Sequence, residues 1–344
     1  MKYLVIAGVI TLSCCLYQIT YGVTSEPTMI FLTIETDARS FGMGGVGTAL
    51  KSGPQASFYN PAAIGGIRHF SLEGNRYDFG YSNFGISHFS AGYKLGENGT
   101  AALNFARLGL GTSIRTDEFG NLVEESSPYE LAVSGSYSLE LSPNIYVGSS
   151  IKYMRSNLSN VFSRSAVANA VAFDLGILVD KIFPYVSYVN YGKQDSSSFN
   201  RKAEGFSIGA ALLNLGADVQ YKDSEQKDPL PRLLRLGMAW KPIVTEMFQT
   251  TLAADYEKSL VGLKSSYFKE FFDPEFFISK YGLEVNFFYV WTFRLGYRQD
   301  KEDDDHYLTS GFGFGPRWIN FNIASDRRDE TRYSVIFNYP LDLK

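Results

Sequence analysis

The sequence predicts an all-β fold, a 14-stranded antiparallel transmembrane β-barrel with an N-terminal hatch segment that plugs it. The first observation is alternation, because short segments from about residue 67 to the end switch between polar and apolar residues. Leu283 and Val285 share one face of such a segment, whereas Glu284 and Asn286 share the other. When strands have one apolar face and no helices are available to cover it, lipid is the expected cover.

Composition is the second observation. Hydrophobic residues make up 45% of the 344 residues and aromatic residues 15%, yet no segment after the N-terminus is apolar enough to be a spanning helix. A barrel accounts for both facts, because each strand is only half apolar and aromatic side chains collect at the membrane interfaces. The formal net charge of -4 gives no general attraction to nucleic acid, so we expect no nucleic-acid partner.

Connection lengths are the third observation. The fourteen candidate strands span 67–76, 84–95, 99–111, 127–140, 143–155, 165–180, 204–221, 231–242, 247–258, 279–288, 289–300, 306–315, 317–326 and 330–339. Tight turns join some neighbours, as at 96–99 and 315–316. The long polar connections, which we expect on the external side, are 112–126, 181–203, 222–230 and 259–278. Outer-membrane barrels have this asymmetry, and an even strand count permits closure without unpaired edges.

A soluble β-sandwich is the alternative fold, since its strands also alternate. The candidate strands are all ten residues or longer. Sandwich strands commonly have about 5 to 6 residues, whereas tilted membrane strands have about 9 to 11. Strand length therefore favours the barrel, which we place at residues 67–344.

The N-terminus predicts a secretory signal peptide over residues 1–22, because Lys2 precedes an apolar run and small or polar residues follow it. Cys14 and Cys15 both lie inside this segment, so the mature chain would have no disulfide and no thiolate site. An uncleaved anchor and a lipoprotein cut before Cys14 are the alternatives.

Residues 28–66 form the predicted hatch. Its run from Gly42 through Gly44 and Gly45 to Gly47 fits the dinucleotide-binding fingerprint, which requires a buried strand before the glycines and a helix after them. Neither the strand nor the helix is expected here, and a proline-containing stretch follows the glycines. We therefore interpret the small residues as contacts that let the hatch pack against the inner barrel wall. The predicted hatch motif consists of Gly42, Gly44, Gly45, Asn60 and Pro61.

No catalytic, cofactor or metal site is predicted. Ser87 and Ser90 flank His88, but this spacing alone does not make a nucleophile and base, and no orienting third group is evident. A barrel enzyme is thus the weakest functional alternative. The acidic run before His306 lacks the alternating oxygen ligands of a calcium loop, which favours a solvated external loop.

Charged residues on the polar faces of the strands are expected to face the lumen. In a narrow barrel such charges usually pair and bind a hatch, and less often line a permeation path. The predicted lumen-facing residues are Lys152, Asp174, Arg235, Asp255, Glu284, Arg294 and Arg298.

Several motifs resemble one family of outer-membrane proteins. The segments 38–45 (ARSFGMGG) and 56–62 (ASFYNPA), followed by 229–237 (PLPRLLRLG), are similar to the PorV/PorQ-type proteins within the FadL-like barrels. The resemblance extends over about residues 35–339. The insertion at 181–203 and the tail after Tyr339 depart from the family pattern.

The resemblance implies a non-enzymatic barrel in the bacterial outer membrane that is a component or cargo-handling partner of type IX-like protein secretion. Its implied partners are outer-membrane lipid and a large secretion translocon or exported cargo protein. The alternative is a FadL-like transporter of hydrophobic small molecules such as fatty acids. Transport would need an apolar lumen, whereas the predicted inward faces are dominated by Gly, Ser and charged residues, which favours secretion.

Overall fold

The fold is known from a computed structural model. It describes residues 26–35, 37–81, 84–158, 166–182, 205–222, 225–245, 247–261, 277–301, 304–316, 318–328 and 330–339. The predicted signal peptide, residues 1–22, lies outside the described residues, as does most of the connection predicted at 181–203.

Fourteen antiparallel strands form one closed barrel, which confirms the predicted fold class. Each strand pairs with its neighbours along the chain, and the last strand pairs with the first. The strands are β1 (Phe70–Tyr81), β2 (Phe84–Leu95), β3 (Gly99–Leu110), β4 (Tyr129–Ser142), β5 (Ile145–Asn157), β6 (Val167–Ile182), β7 (Phe206–Gly216), β8 (Leu233–Trp240), β9 (Phe248–Ser259), β10 (Ile278–Phe287), β11 (Trp291–Asp300), β12 (Asp305–Phe314), β13 (Ile319–Asp326) and β14 (Thr331–Tyr339).

Alternation sorts the side chains between the two faces of the wall. On β10 and β11, Leu283 pairs with Leu295, and Leu295 is 62% exposed on the outer face. The next pair, Glu284 and Arg294, is buried inside the barrel. This register puts apolar surface where hydrocarbon can cover it and charge where other protein groups can satisfy it.

Some strand bounds differ from the prediction. The segment predicted at 204–221 ends its strand at Gly216, two residues after Asn214, which adopts a positive φ of 59° where the pairing with β6 shifts register. The chain then forms a separate short hairpin, in which Val219–Gln220 pairs with Lys227–Asp228. β1 begins at Phe70 and continues to Tyr81, later than the predicted 67–76.

The two ends of the barrel differ. One end, here called the turn end, has the tight connections after β2, β4, β10 and β12; the other, here called the loop end, has the long connections after β3 and β7. The connection predicted at 181–203 leaves from the end opposite to the connections predicted at 112–126, 222–230 and 259–278, so the four cannot all be external as predicted. β6 ends at Ile182, which pairs with Phe206 at the start of β7, and both lie at the turn end. The length of a connection does not show at which end of the barrel it lies. The number of the preceding strand does, because even-numbered strands end at the turn end and odd-numbered strands at the loop end.

The N-terminal segment passes through the lumen in short helical turns. The turns are Ile30–Thr33, Ala38–Phe41, Pro54–Phe58 and Pro61–Gly66. Thr28 N donates to Pro229 O at 3.0 Å beside the loop end, whereas β1 starts at the turn end. The segment therefore fills the barrel along its axis, as a plug would. In the part of the chain that the structure describes, no helix is long and apolar enough to cross a membrane.

Two large apolar clusters lie in the described interior. In the first, Met43, Val46 and Ala62 of the hatch pack against small wall residues. In the second, Met29 and Phe31 pack near the loop end against wall side chains. These wall residues include Tyr77, Ile86, Leu108 and Met154. The inward faces are thus less uniformly polar than their sequence indicates, since β1 to β6 contribute apolar groups near the loop end.

Candidate functional site

The hatch lies directly against the backbone of the wall at a set of inward-facing glycines, here called the glycine track. The track consists of Gly148, Gly176, Gly209, Gly237, Gly282 and Gly296. They form three cross-strand pairs, on β5 and β6, on β7 and β8, and on β10 and β11. A Cβ added to Gly296 would lie 2.0 Å from Gly44 N, and one added to Gly148 would lie 2.4 Å from Ala62 N. Only glycine leaves room for the hatch backbone at these positions.

The predicted hatch motif lies at this contact. Gly44 has a φ of +75°, and a Cβ there would come within 2.8 Å of two backbone oxygens of the wall. Gly45 has a φ of +88° and faces Glu35, and Gly42 faces the wall backbone at Gly311. These glycines let the chain turn tightly against β10, β11 and β12.

Asn60 and Pro61 hold the second half of the hatch. The Asn60 side chain accepts from Ala62 N at 3.0 Å, and its Nδ2 donates to Thr48 O at 2.9 Å and to Ile177 O of β6 at 3.0 Å. Pro61 lies against Gly148 of the glycine track. One amide side chain thus ties two turns of the hatch to the wall.

Five charged side chains form a buried network between hatch and wall, here called the Glu35 cluster. Lys280 Nζ lies 2.6 Å from Glu35 Oε1 and 3.0 Å from Glu257 Oε2. Glu257 also accepts from Arg235 Nε at 2.6 Å, and Arg298 Nη1 lies 2.9 Å from Glu35 Oε1. Two carboxylates are therefore shared among three cations, and only Glu35 comes from the hatch.

A second cluster joins the hatch helix to β10 and β11. The Arg39 guanidinium makes a bidentate contact with Glu284, with N–O distances of 2.9 and 2.8 Å. Arg294 Nε lies 2.7 Å from the same carboxylate. Bidentate arginine contacts fix orientation as well as charge, so this cluster positions the hatch against the wall.

The other predicted charges also engage buried partners. Asp255 Oδ2 accepts from Gly47 N and Thr48 N of the hatch, both at 2.8 Å. Lys152 Nζ lies 3.0 Å from Asp174 Oδ2 on the neighbouring strand. All seven predicted lumen-facing side chains thus point inward, where each contacts the hatch or a buried charge of the wall.

Four charged residues of these clusters were not predicted from the sequence: Glu35, Arg39, Glu257 and Lys280. Glu257 and Lys280 could have been found, because each lies two or four residues from a predicted inward charge and so shares its face. Glu35 and Arg39 lie in irregular structure, where no periodicity marks the direction of a side chain.

Electrostatics favours an ionised Glu35. Burial alone would raise its pKa, but the charges of Lys280 and Arg298 outweigh burial and hold the pKa of Glu35 well below its usual range. The hatch is therefore bound to the wall by a charged carboxylate at neutral pH.

Acid is expected to weaken this attachment. A carboxylate whose pKa is lower in the folded protein contributes stability that is complete above its ordinary pKa, here 4.5, and is lost as the pH falls below it. We expect the wild-type protein to lose more unfolding free energy than Glu35→Gln between about pH 7 and about pH 3. Urea titrations in detergent at each pH measure this, and equal losses in the two proteins would contradict the role of Glu35.

The suspected Ser and His chemistry is not assembled. His88 Nδ1 lies 2.7 Å from Gln55 Nε2, and Ser90 Oγ donates to Gln55 Oε1 at 3.0 Å, so both side chains engage the hatch. Ser87 accepts from Arg76. Within the described ranges, no group of three or more His, Cys, Asp or Glu side chains could hold a metal ion.

A cavity of about 40 Å³ remains between the hatch and β2 to β5. Phe31, Leu32 and Ile86 line its apolar side, and His88 and Lys152 line its polar side. It has room for a few water molecules but not for a lipid-sized solute.

A β-hairpin extends from the loop end between β3 and β4. Its strands are Ser113–Thr116 and Leu122–Ser126, which pair with each other and not with the barrel. Ile114, Phe119 and Leu122 are 64%, 81% and 62% exposed. Asp117 organises the turn by accepting from Phe119 N and Asn121 N. The hairpin is thus an ordered element with large apolar side chains on its surface, here called the apolar hairpin.

Comparison with known proteins places this architecture. The model of a family described as type IX secretion system protein PorV matches residues 23–265. The toluene transporter TbuX of Ralstonia pickettii superposes with a TM-score of 0.51 at 15% identity, covering 87% of this chain and 95% of its own. The monoaromatic hydrocarbon channel CymD also gives 0.51 at 15% identity, covering 91% and 99%. A search of curated proteins finds no match. At such identities the two structures share the barrel fold with this chain.

Proposed function

This chain belongs to the PorV family of type IX secretion system proteins, and from that membership we propose that it is a non-enzymatic component or cargo-handling partner of type IX-like protein secretion. It is a barrel of the bacterial outer membrane, as its closed 14-stranded wall and its family indicate. On this proposal, a partner protein is held at the surface of the barrel and does not pass through its lumen.

The apolar hairpin is the observation that carries the proposal. Phe119 is 81% exposed, and Ile114 and Leu122 add apolar surface on the same projection. Because the hairpin pairs only with itself and extends beyond the barrel strands at the loop end, this surface lies in water and not in hydrocarbon. Exposed aromatic and aliphatic side chains on an ordered element are typical anchors of protein interfaces. The hairpin therefore suits a translocon subunit or an exported protein as partner.

The plugged lumen also supports a role other than bulk permeation. The hatch occupies the barrel axis, and the described interior has a cavity of only about 40 Å³ in the region of β2 to β5. Charged residues that would line an open path instead form the Glu35 cluster and the Arg39–Glu284 contact. A protein that grips a partner needs a rigid scaffold, and these contacts supply one.

Substitution of the hairpin anchors tests the proposal. We expect Ile114→Ser/Phe119→Ser/Leu122→Ser to lose at least tenfold of the partner protein recovered with the barrel from outer membranes, since hot-spot anchors commonly contribute about 2 kcal/mol each. Quantitative mass spectrometry after mild detergent extraction measures the recovery. The folded barrel should keep its thermal stability, because these side chains are mostly exposed and their strands pair with each other and not with the barrel.

Leu141→Ser is the matched control. Leu141 is 61% exposed at the turn end of β4, so this variant removes one exposed apolar side chain from the opposite end. It should retain the partner. Equal loss in both variants, or full retention by the triple variant, would contradict a partner site on the hairpin.

Transport of a hydrophobic small molecule is the second candidate. It is favoured by the apolar interior near the loop end, where Phe31, Leu32 and Ile86 line a cavity that continues to His88 and Lys152. Transport would require the hatch to move, since the cavity is too small for such a solute. A bound fatty acid recovered without any protein partner would favour transport over secretion.

A further inference from the structure

Three arginines point outward near the loop end of β1, β3 and β5. The register places them in one cross-strand row: Arg76 pairs with Ser87, Ser87 with Arg107, Arg107 with Leu131, Leu131 with Arg155, and Arg155 with Asn169. Arginines therefore occupy alternate strands, roughly 10 Å apart across the sheet at the usual strand spacing. The sequence had indicated that cations point away from lipid, and this row, here called the arginine row, is the exception.

Two members of the row carry charge that no described residue neutralises. Arg107 lies over the Tyr129 ring at 5.3 Å and is exposed. Arg155 Nε is shielded from solvent yet has no hydrogen-bond partner among the described residues. Neither Arg107 nor Arg155 forms an ion pair with any part of the chain that the structure describes. Arg76 differs, since Asp78 and Ser87 accept its hydrogen bonds.

The surface below the row is apolar. The next outward residues toward the turn end are Phe89, Phe105, Val133, Tyr153 and Val171, which pair with one another across β2 to β6. Phe89 is 53% exposed and Tyr153 is 45% exposed. One continuous face thus has cations toward the loop end and hydrocarbon-compatible side chains directly beneath them.

We infer that the arginine row binds the phosphate-bearing headgroup of a lipid in the membrane leaflet at the loop end. Guanidinium groups recognise phosphate through charge-assisted, often bidentate hydrogen bonds. The acyl chains of the same lipid would lie on the apolar row below, which continues the membrane-facing surface. The exposed Arg107, which has no ion-pair partner in the described chain, is the guanidinium that such a headgroup would reach first.

The charge and the position of the arginine row favour a phosphate-bearing lipid over a protein partner or an acidic soluble ligand. A protein partner above the membrane would meet the apolar hairpin first, whereas the arginine row borders the hydrocarbon band. An acidic soluble ligand would find the charges but would leave the apolar row uncovered. A phospholipid or phosphorylated glycolipid matches both parts, and its contact is independent of the secretion role proposed above.

Comparing lipid A with its dephosphorylated form tests whether the arginine row recognises the phosphate of a lipid. The full-length barrel in detergent is titrated with each lipid, and with inorganic phosphate at equal concentration, while native mass spectrometry counts bound lipid. We expect lipid A to bind more tightly than the dephosphorylated lipid. Arg107→Gln/Arg155→Gln should weaken lipid A binding by roughly 10- to 30-fold, as surface arginines each contribute about 1 kcal/mol to anionic-lipid binding. Arg107→Lys/Arg155→Lys should keep most of it.

The control variant is Lys227→Gln/Arg327→Gln, which removes two exposed cations from other loop-end connections. It should bind lipid A like the wild type. Equal binding of both lipids, equal weakening in the control, or saturation by inorganic phosphate alone would each overturn the assignment. Because only outward side chains change, all variants should show wild-type melting without lipid, and a lowered melting temperature would likewise overturn a purely lipid-binding role.

Discussion

Lys280→Met is expected to destabilise the protein by about 3–5 kcal/mol, because it leaves Glu35 and Glu257 as two buried carboxylates without their shared cation. The hatch should loosen first, since Glu35 is its only member of the cluster. Urea unfolding measures the global loss, and limited proteolysis measures release of the hatch.

A second substitution separates charge from packing. Lys280→Met/Glu35→Gln removes the hatch charge together with its partner, and we expect it to recover part of the lost stability. Lys227→Met, at an exposed loop-end position, should have no measurable effect. A Lys280→Met protein as stable as the wild type would show that the Glu35 cluster does not hold the hatch.

Gly296→Val is expected to displace the hatch and to cost roughly 3 kcal/mol, as overpacking of a closely packed contact commonly does. A Cβ at this position would lie 2.0 Å from Gly44 N and 2.3 Å from Met43 C. These are backbone atoms, which cannot move aside as a flexible side chain could. Thermal unfolding and proteolysis of the hatch report the effect.

Gly74→Val on β1 is the matched control, because a Cβ there has nothing within 4 Å. Its stability should equal that of the wild type or exceed it slightly, since valine favours strands. If both variants behaved alike, close packing along the glycine track would not explain why glycine occupies these positions.

The wall could be predicted from sequence because lipid imposes a strict period of two. The alternation of Leu283, Glu284 and Val285 is enough to place β10 and to direct its charges inward. Tight turns such as the one after β2 fix the neighbouring register. The direction of a side chain that is tolerated on only one face of the wall can be predicted without any knowledge of its partners.

The position of the hatch in the sequence could be predicted, but its contacts with the wall could not. Its glycines indicated close approach to the wall. That approach also depends on Gly282 and Gly296 of the wall, whose role is evident only in the folded structure. The pairing of Glu35 with Lys280 spans 245 positions, and no local pattern connects them. The side of the membrane reached by the 181–203 connection likewise depends on strand parity and not on its length.

The arginine row is an exception to the expectation that charged side chains of the strands face the lumen. Alternation correctly sends Arg235 and Arg294 inward, but Arg107 and Arg155 have outward parity near the ends of their strands. Outward cations are compatible with a barrel only where the hydrocarbon ends. Their position relative to the loop end, and not their residue type, distinguishes them from the buried network.

Planar-bilayer conductance tests the central claim that the N-terminal segment seals this outer-membrane barrel. The purified wild-type protein should insert without stepwise ion conductance at neutral pH, whereas Lys280→Met and Gly296→Val should show channel openings as the hatch loosens. Sustained open channels in the wild type, of the same size as those in the variants, would contradict a plugged barrel.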